Sequence, residues 1–388
     1  MANENLSDAK RAKNDEFYTQ YEDIEKEVNA YLEFDPNVFQ DKTILLPCDD
    51  PEWSNFTKFF AQNFERLKLK KLISTSFAPN SKSILLHDQP TLFEIESPQF
   101  DEFRSSSNGK IFKLHRDLTG DHKINVDDLE WDYLDGDGDF RSKEITKLRD
   151  EADIIITNPP FSLFREFLTW IVSANKQFVI IGNMNAITYK ETFTLIKENK
   201  VWLGQSIHSG DREFQVPNSY PLEAAGWRID DDGNKFIRVK GVRWFTNIDH
   251  GRRHQPLPLM TLNDNLRFSK HKEIKGSSSY QSYENYDAIE VPFTDAIPSD
   301  FEGVMGVPIS FLDKYSPEQF EIVGMCENSD LYGLKTKVFS SSECKAAYLA
   351  KFGKPGTYDL NASGVIFRNN QLEKVYQRVL IKKRGETK

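Results

Sequence analysis

The stretch Ala152-Asp153-Ile154-Ile155-Ile156-Thr157-Asn158-Pro159-Pro160-Phe161 decides how the rest of the chain is read. Three consecutive isoleucines between polar residues have no polar face. That is the pattern of a strand covered on both sides, as in a parallel sheet. Two prolines end the run, because neither carries an N–H for a neighbouring strand. A helix follows, with Phe164, Phe167, Leu168 and Ile171 spaced i, i+3, i+4 and i+7, and then a second apolar strand from Phe178 to Gly182.

The same alternation extends upstream. Ile24, Val28, Tyr31 and Leu32 mark one helix face, which should end at Asp35, the residue before Pro36. Thr43-Ile44-Leu45-Leu46 is a short strand stopped by Pro47. A helix bearing Phe56, Phe59, Phe60, Phe64 and Leu67 follows, and Lys71-Leu72-Ile73-Ser74 is the next strand. This is the smallest strand–helix–strand unit, so an α/β domain with a mostly parallel central sheet is expected. Ile84-Leu85-Leu86 reads as a further strand, and Ser105 to Gly109 as a turn. After about Lys200 the alternation fades into short strands separated by Gly, Pro, Asn and Ser. We expect a flexible leader over 1–13, a catalytic domain over 14–250 and a second region over 251–388.

The chain has 388 residues, 38% of them apolar and 29 of them Phe, enough for a sizeable core and for two or three domains. Its three cysteines, Cys48, Cys326 and Cys344, are too few and too scattered for a disulfide framework or a four-cysteine zinc site. Met1 to Glu16 has no apolar stretch of the secretory kind, and no apolar run is long enough to span a bilayer. A cytoplasmic protein is expected. The net charge is −10, but unevenly spread: 13 acids against 5 bases from Asp117 to Asp153, then 10 bases against 3 acids from Asn234 to Lys275. An acidic body with a basic face elsewhere would suit a nucleic-acid partner; ordinary solvated surface is the rival reading.

The chemistry concentrates at Asn158-Pro159-Pro160-Phe161. Ligands of open α/β sheets bind at the carboxyl ends of the strands. A stiff Pro-Pro turn there can aim the Asn158 side-chain oxygen and the Pro159 carbonyl at one amino group, and Phe161 can stack on a ring. The exocyclic amine of adenine is a poor nucleophile, because its lone pair is delocalised into the base. Two acceptors on its hydrogens would favour a pyramidal nitrogen, and those bonds would strengthen as the nitrogen becomes positive.

The tetrad is similar to the [DNS]-Pro-Pro-[FYW] signature of S-adenosylmethionine-dependent amino methyltransferases. More narrowly, the chain resembles the EcoRI-type adenine-specific DNA methyltransferases. The resemblance rests on Lys13 to Gln20, Cys48-Asp49-Asp50-Pro51 with Ser54-Asn55-Phe56, Asp135 to Ser142, Ile156 to Phe161 and Met305 to Ile309. It implies a Rossmann-like methyltransferase fold followed by an α+β target-recognition region. It implies S-adenosyl-L-methionine as cofactor, double-stranded DNA as substrate and transfer to the 6-amino group of a flipped adenine. A restriction-modification setting, with a cognate endonuclease, would follow. Carried over residue by residue, it gives Phe17, Tyr18 and Thr19 as the motif closing over the methionine end of the cofactor. Cys48, Asp49, Asp50, Ser54 and Asn55 stand where the broader superfamily has Phe-x-Gly-x-Gly. Asp49 or Asp50 would meet the ammonium or ribose, and the helix start beyond them the carboxylate. Asp139 would accept the cofactor's adenine amine, with Phe140 packing on its ring. The usual acid after the second strand is replaced by Ser74-Thr75-Ser76.

Two rivals stand beside this reading. The same tetrad can activate an amide nitrogen, so an RNA or protein-glutamine methyltransferase shares it. Asp135-Gly-Asp137-Gly-Asp139 and Asp117 to Asp128 alternate oxygens as calcium loops do, but they lack the glycine at the sixth position of an EF-hand, and a calcium-dependent interaction module would need them. The seven histidines have no metal spacing, and no metal is expected. For nucleic acid, Lys235, Arg238, Lys240, Arg243, Arg252, Arg253, Lys270, Lys272 and Lys275 interleave with Phe236, Trp244, Phe245 and Phe268. Of these, Arg252, Arg253, Lys270, Lys272 and Lys275 are the expected contacts. A sheet hairpin over Arg238–Thr246 with a wet outer face is the alternative for the first part. Phe214 is a candidate second wall for the flipped base.

Overall fold

The apolar face of Ile24, Val28 and Tyr31 closes a helix, α1 (Tyr21–Phe34), with Asp35 as its C-cap. The computed structural model describes residues 19–49, 54–78, 97–208, 211–216, 222 and 226–385. They form two compact units, divided after Gly251. Phe17, Tyr18, Asp50 and the strand expected at Ile84–Leu86 lie outside the described residues.

The first unit continues with β1 (Thr43–Leu46), α2 (Asn55–Gln62), β2 (Lys71–Thr75), α3 (Glu102–Ser107), β3 (Lys110–Leu114) and β4 (Glu130–Tyr133). Next come α4 (Lys143–Glu151), β5 (Ile154–Thr157), α5 (Phe164–Ser173), β6 (Gln177–Asn183), α6 (Lys190–Lys197) and β7 (Trp202–Leu203). It ends with β8 (Asp211–Val216), β9 (Arg228–Ile229), β10 (Lys235–Lys240) and β11 (Val242–Thr246). Among the described residues eight strands make one sheet, in the order β4-β3-β2-β1-β5-β6-β11-β7. The four in the middle, β2, β1, β5 and β6, run parallel, while β3, β4, β11 and β7 pair antiparallel at the two sides. The sheet is therefore mixed rather than mostly parallel.

Both faces of the central strands are covered, as their unbroken apolar runs require. Ile44, Leu46, Ile154, Ile156, Val179 and Ile181 cluster with Val28 and Tyr31 of α1 and Phe56, Phe59 and Phe60 of α2. The alternate residues Leu45, Ile155 and Ile180 are equally buried. On α5, Phe164 packs its ring on Phe245 at 4.9 Å. It also leaves no space at Gly182, where an added Cβ would meet the Phe164 ring at 2.4 Å.

The expected hairpin over Arg238–Thr246 is not one. β10 pairs with β8 and β9 in a separate three-stranded sheet, whereas β11 joins the main sheet. Gly241, at φ +70°, makes the switch between them. All five residues of β11 are buried.

One buried acid ties α1 down. The Glu27 carboxylate accepts hydrogen bonds from Gln205 N (2.9 Å), Ser206 N (2.7 Å) and the Tyr31 hydroxyl (2.7 Å). Burial pushes its carboxyl above the usual range, against the pull of those donors. Its position between Ile24, Val28 and Tyr31 on the apolar face was a signal legible in the sequence.

The acidic loop from Asp117 to Asp128 turns its oxygens onto its own backbone. Asp128 accepts from Leu118 N, Thr119 N and Asn125 N at 2.8–3.0 Å, which lowers its carboxyl to about 2. A depressed carboxyl stabilises the fold above its unfolded value near 4, and the gain is lost as pH falls through the folded value. The urea midpoint of Asp128→Ala should therefore lie below that of the parent at pH 5–7. The gap should close between about pH 4 and pH 2; a gap independent of pH would rule this origin out.

The second unit holds α7 (Leu262–Phe268), β12 (Ile289–Glu290), β13 (Met305–Pro308), β14 (Phe320–Met325), α8 (Ser341–Phe352), β15 (Val365–Arg368), β16 (Gln371–Lys374) and β17 (Arg378–Lys383). Its main sheet has the order β12-β13-β17-β14, with β15 and β16 as a hairpin. Met305 to Pro308 of the quoted motif is the inner strand β13, and Gly306 is required there because an added Cβ would meet the Tyr283 hydroxyl at 2.1 Å. At the centre Arg378 grips Glu290 through Nη2 (2.6 Å) and Nε (3.1 Å), and the Tyr283 hydroxyl donates to the same carboxylate. Every described helix is too short or too polar to cross a membrane.

Candidate active site

The chain leaves β1 toward β2 on one side, and β5 pairs with β1 on the other. Such a reversal opens a crevice at the carboxyl ends of the strands. The residues after β1 and β5 line this edge, and a buried network joins them. Asp49 is 6% exposed. Its Oδ1 accepts from the Ser54 hydroxyl (2.8 Å) and its Oδ2 from the Thr157 hydroxyl (2.5 Å). The Asp49 carbonyl accepts from Ser74 Oγ (2.6 Å), which is itself 2.8 Å from Thr57 Oγ1. One residue thus links β1, β2, β5 and α2: its carboxylate reaches the α2 cap and β5, and its carbonyl reaches β2. Ser54 caps α2 by accepting from Phe56 N at 3.1 Å. The great majority of buried polar groups are hydrogen-bonded, and each member here is.

Thr19 joins this edge through α2, since Asn55 Nδ2 donates to its carbonyl at 2.8 Å. Thr19 Oγ1 and Gln20 Nε2 are buried without a hydrogen-bond partner among the described residues. Unmet polar atoms beside a strand-end crevice fit a ligand with polar groups of its own. Thr19, Asp49, Ser54 and Asn55 are thereby brought together, and Cys48, half-buried, adjoins Asp49.

The tetrad follows Thr157 directly. Asn158 is half-buried with its Oδ1 shielded from water, and Pro159 is buried. Pro160 caps a short 3-10 turn, and its carbonyl is spent on Leu163 N (2.9 Å). Phe161 packs against the aliphatic cluster under α1 and α2.

The loop from Asp135 to Ser142 lies beside the end of β2. Ala78 N donates to the Asp137 carbonyl (2.7 Å), and Gly138, at φ +84°, sits so close to the Ser76 carbonyl that a Cβ would approach it to 2.2 Å. Arg141 takes up much of Asp139: its Nε and backbone N donate to Oδ1 (2.9 and 2.8 Å), and its Nη2 to Oδ2 (2.6 Å). This guanidinium holds the Asp139 carboxyl below the usual range. Arg141 also reaches Glu166 of α5 at 3.2 Å. An ionised carboxylate offers about four acceptor positions, so Oδ2 keeps one for a further donor. Phe140 is 5% exposed, with ring contacts to Phe167 (5.0 Å) and Trp170 (5.6 Å), so it docks this loop onto α5.

Several expected contacts are placed elsewhere. Phe214 is 1% exposed inside the aliphatic cluster and offers no open ring face. Arg253 is buried, and Arg252 is half-buried near Asp313, which rules Arg253 out as a surface phosphate contact in this form. Lys270, Lys272 and Lys275 are exposed. Thr157 and Arg141 were given no role of their own in the sequence, and Ser74 was noted only as one of three residues standing where the usual acid is. A lone threonine closing an otherwise aliphatic strand was the available signal for Thr157.

The family model described as "Adenine-specific methyltransferase EcoRI" matches residues 5–384. The Type II methyltransferase M.EcoRI of Escherichia coli is 44% identical over 321 residues, covering 83% of this chain and 89% of that protein. The Type II methyltransferase M.MpnI of Mycoplasma pneumoniae is 34% identical over 341 residues, covering 86% and 90%. The Type II methyltransferase M.MgeORF184P of Mycoplasma genitalium is 36% identical over 336 residues, covering 85% and 90%. No solved structure matches the chain. A tetrad at the end of β5, a buried carboxylate at the end of β1 and a family match over nearly the whole length agree, and the chain belongs to the EcoRI family of adenine-specific methyltransferases.

Proposed function

We propose that the carboxyl ends of β1 and β5 form the reaction centre of this site-specific DNA adenine methyltransferase, in a Rossmann-like domain followed by a target-recognition region from 251 onward. Membership of the family makes the chain an enzyme that methylates adenine in DNA from S-adenosyl-L-methionine. The single observation that carries the placement of the chemistry is the Asp49–Thr157 bond, which sets the tetrad beside the loop after β1.

In this reading Asn158 Oδ1 and the Pro159 carbonyl accept the two hydrogens of the target amine. The Pro160 carbonyl is already used, which leaves Pro159 as the backbone acceptor. A stiff Pro-Pro turn would hold both oxygens before the base arrives, so little reorganisation would accompany the reaction. Phe161 stacks on the extrahelical base. Thr19, Asn55 and the Asp49 loop hold the methionine end of the cofactor, and Asp139 uses its remaining acceptor position for the cofactor's adenine amine. When bound, S-adenosylmethionine supplies a methyl group already activated by the sulfonium, so alignment provides much of the remaining barrier reduction. A restriction-modification setting in the cytoplasm, alongside a cognate endonuclease, completes the proposal.

The test offers duplex DNA, RNA and protein to the enzyme with methyl-labelled S-adenosylmethionine. Label should enter DNA and, after digestion, be found on adenine N6. Label on RNA or on glutamine, with none on DNA, would overturn the reading.

A further inference from the structure

We infer that the end of α7 and the turn after it form a pre-shaped, basic contact tip for double-stranded DNA, with Phe268 set against the bases and Arg267, Lys272 and Lys275 against phosphates. This rests on the DNA reading above and names the surface of the second unit that would use it.

Burial sorts the basic, aromatic stretch seen in the sequence. Phe236, Trp244 and Phe245 are core residues, at 8%, 1% and 0% exposure, whereas Phe268 is 67% exposed. Arg243 and Arg253 are buried. Arg238 and Lys240 stay exposed on β10 of the first unit; in the second unit the exposed bases of this stretch are Arg267, Lys270, Lys272 and Lys275, with Glu273 as the single acid from 267 to 275. Lys270 is paired with Asp295 at 2.7 Å, while Arg267, Lys272 and Lys275 have no ion pair among the described residues. An exposed ring set among unpaired cations is the composition of a nucleic-acid contact.

The tip is also held in shape. Gly276 N donates to the Leu266 carbonyl (2.8 Å), which folds the turn back onto α7. The His271 ring lies flat on Phe293, with centroids 3.7 Å apart and planes 4° apart, and Nε2 meets Asp295 Oδ1 at 2.7 Å. Ile274 is buried beneath the turn. Side chains carried on an already ordered turn lose less freedom on binding than those on a loose tail. Lysine and arginine on phosphates release counterions, which makes the affinity fall with salt; a ring between or against bases contributes without that dependence.

The experiment titrates the full chain with a labelled 30-base-pair duplex of random sequence from 50 to 300 mM salt. Arg267→Ala/Lys272→Ala/Lys275→Ala should flatten the log–log salt slope by about 2–3, close to 0.9 for each lost phosphate contact. Lys345→Ala/Lys354→Ala/Lys382→Ala, three exposed lysines elsewhere in the unit, should leave the slope unchanged. Phe268→Ala should weaken binding about tenfold with the slope intact. All these positions are exposed, so unchanged melting and cofactor binding will show that the variants are folded. A parent enzyme that methylates DNA while the first triple variant keeps its slope would overturn the tip alone. A parent that transfers no methyl to DNA would overturn the underlying reading instead.

Discussion

Asn158→Ala is expected to lower kcat for methyl transfer about 10²–10³-fold, equivalent to roughly 2.7–4 kcal/mol of transition-state stabilisation. The oxygen removed strengthens its bond only as the target nitrogen becomes positive, so the loss belongs to the chemical step. The cofactor dissociation constant should change by no more than about threefold, because the proposed methionine-end contacts lie on Thr19, Asn55 and the loop after β1. Single-turnover rates and equilibrium cofactor binding separate the two effects. Asn158→Asp keeps an acceptor in place and should recover much of the rate, with a new acidic limb in its pH profile. The sign follows from burial: a half-buried carboxyl has a raised pKa, and only above it are both oxygens acceptors. Activity of this variant should therefore rise with pH where that of the parent is flat. Undiminished turnover in Asn158→Ala would end the amine-activation mechanism.

The tetrad and its strand were legible in the sequence because their signal is local: three isoleucines, two prolines and a helix of regular spacing. β1, β2 and α1 were legible for the same reason, and so was the helix after the tetrad. The two sides of the sheet were not, because β11, Val242-Arg243-Trp244-Phe245-Thr246, is buried along its whole length although its sequence is not uniformly apolar, and nothing local in it sets its direction. Phe236, Trp244 and Phe245 alternate with Lys and Arg as a nucleic-acid surface would, yet all three rings are buried, Phe236 on a strand whose Arg238 and Lys240 face solvent and the other two on a strand buried throughout. Phe214 failed similarly: a phenylalanine in a polar tetrapeptide gives no hint of which side of its strand faces the core. The network around Asp49 was hidden for a different reason. Its partners are 5, 25 and 108 residues away, and hydroxyls have no periodicity that sequence spacing can reveal.

That network carries the second large expectation. Asp49→Ala leaves the Ser54 and Thr157 hydroxyls buried without their acceptor, at a cost of about 1–3 kcal/mol for each group left unsatisfied. The melting temperature of the first unit should drop by several degrees, on the order of 2–4 °C per kcal/mol for a domain of roughly 150–250 residues. The rate should fall as well, because Thr157 immediately precedes Asn158, and a displacement of about 1 Å at a reacting centre can cost on the order of 10² in rate. The two roles open to Asp49, cofactor contact and anchor for the tetrad, predict different double-mutant cycles. If Asp49 acts through Thr157, Thr157→Val should reproduce most of the loss in kcat, and adding it to Asp49→Ala should cost little more. If Asp49 instead meets the cofactor directly, Asp49→Ala should raise KM for S-adenosylmethionine, Thr157→Val should not, and the two effects should add. The 2.5 Å contact inside a water-excluded edge favours the first outcome. Additive losses confined to KM would show that the carboxylate serves the cofactor and that the tetrad is positioned by the prolines alone.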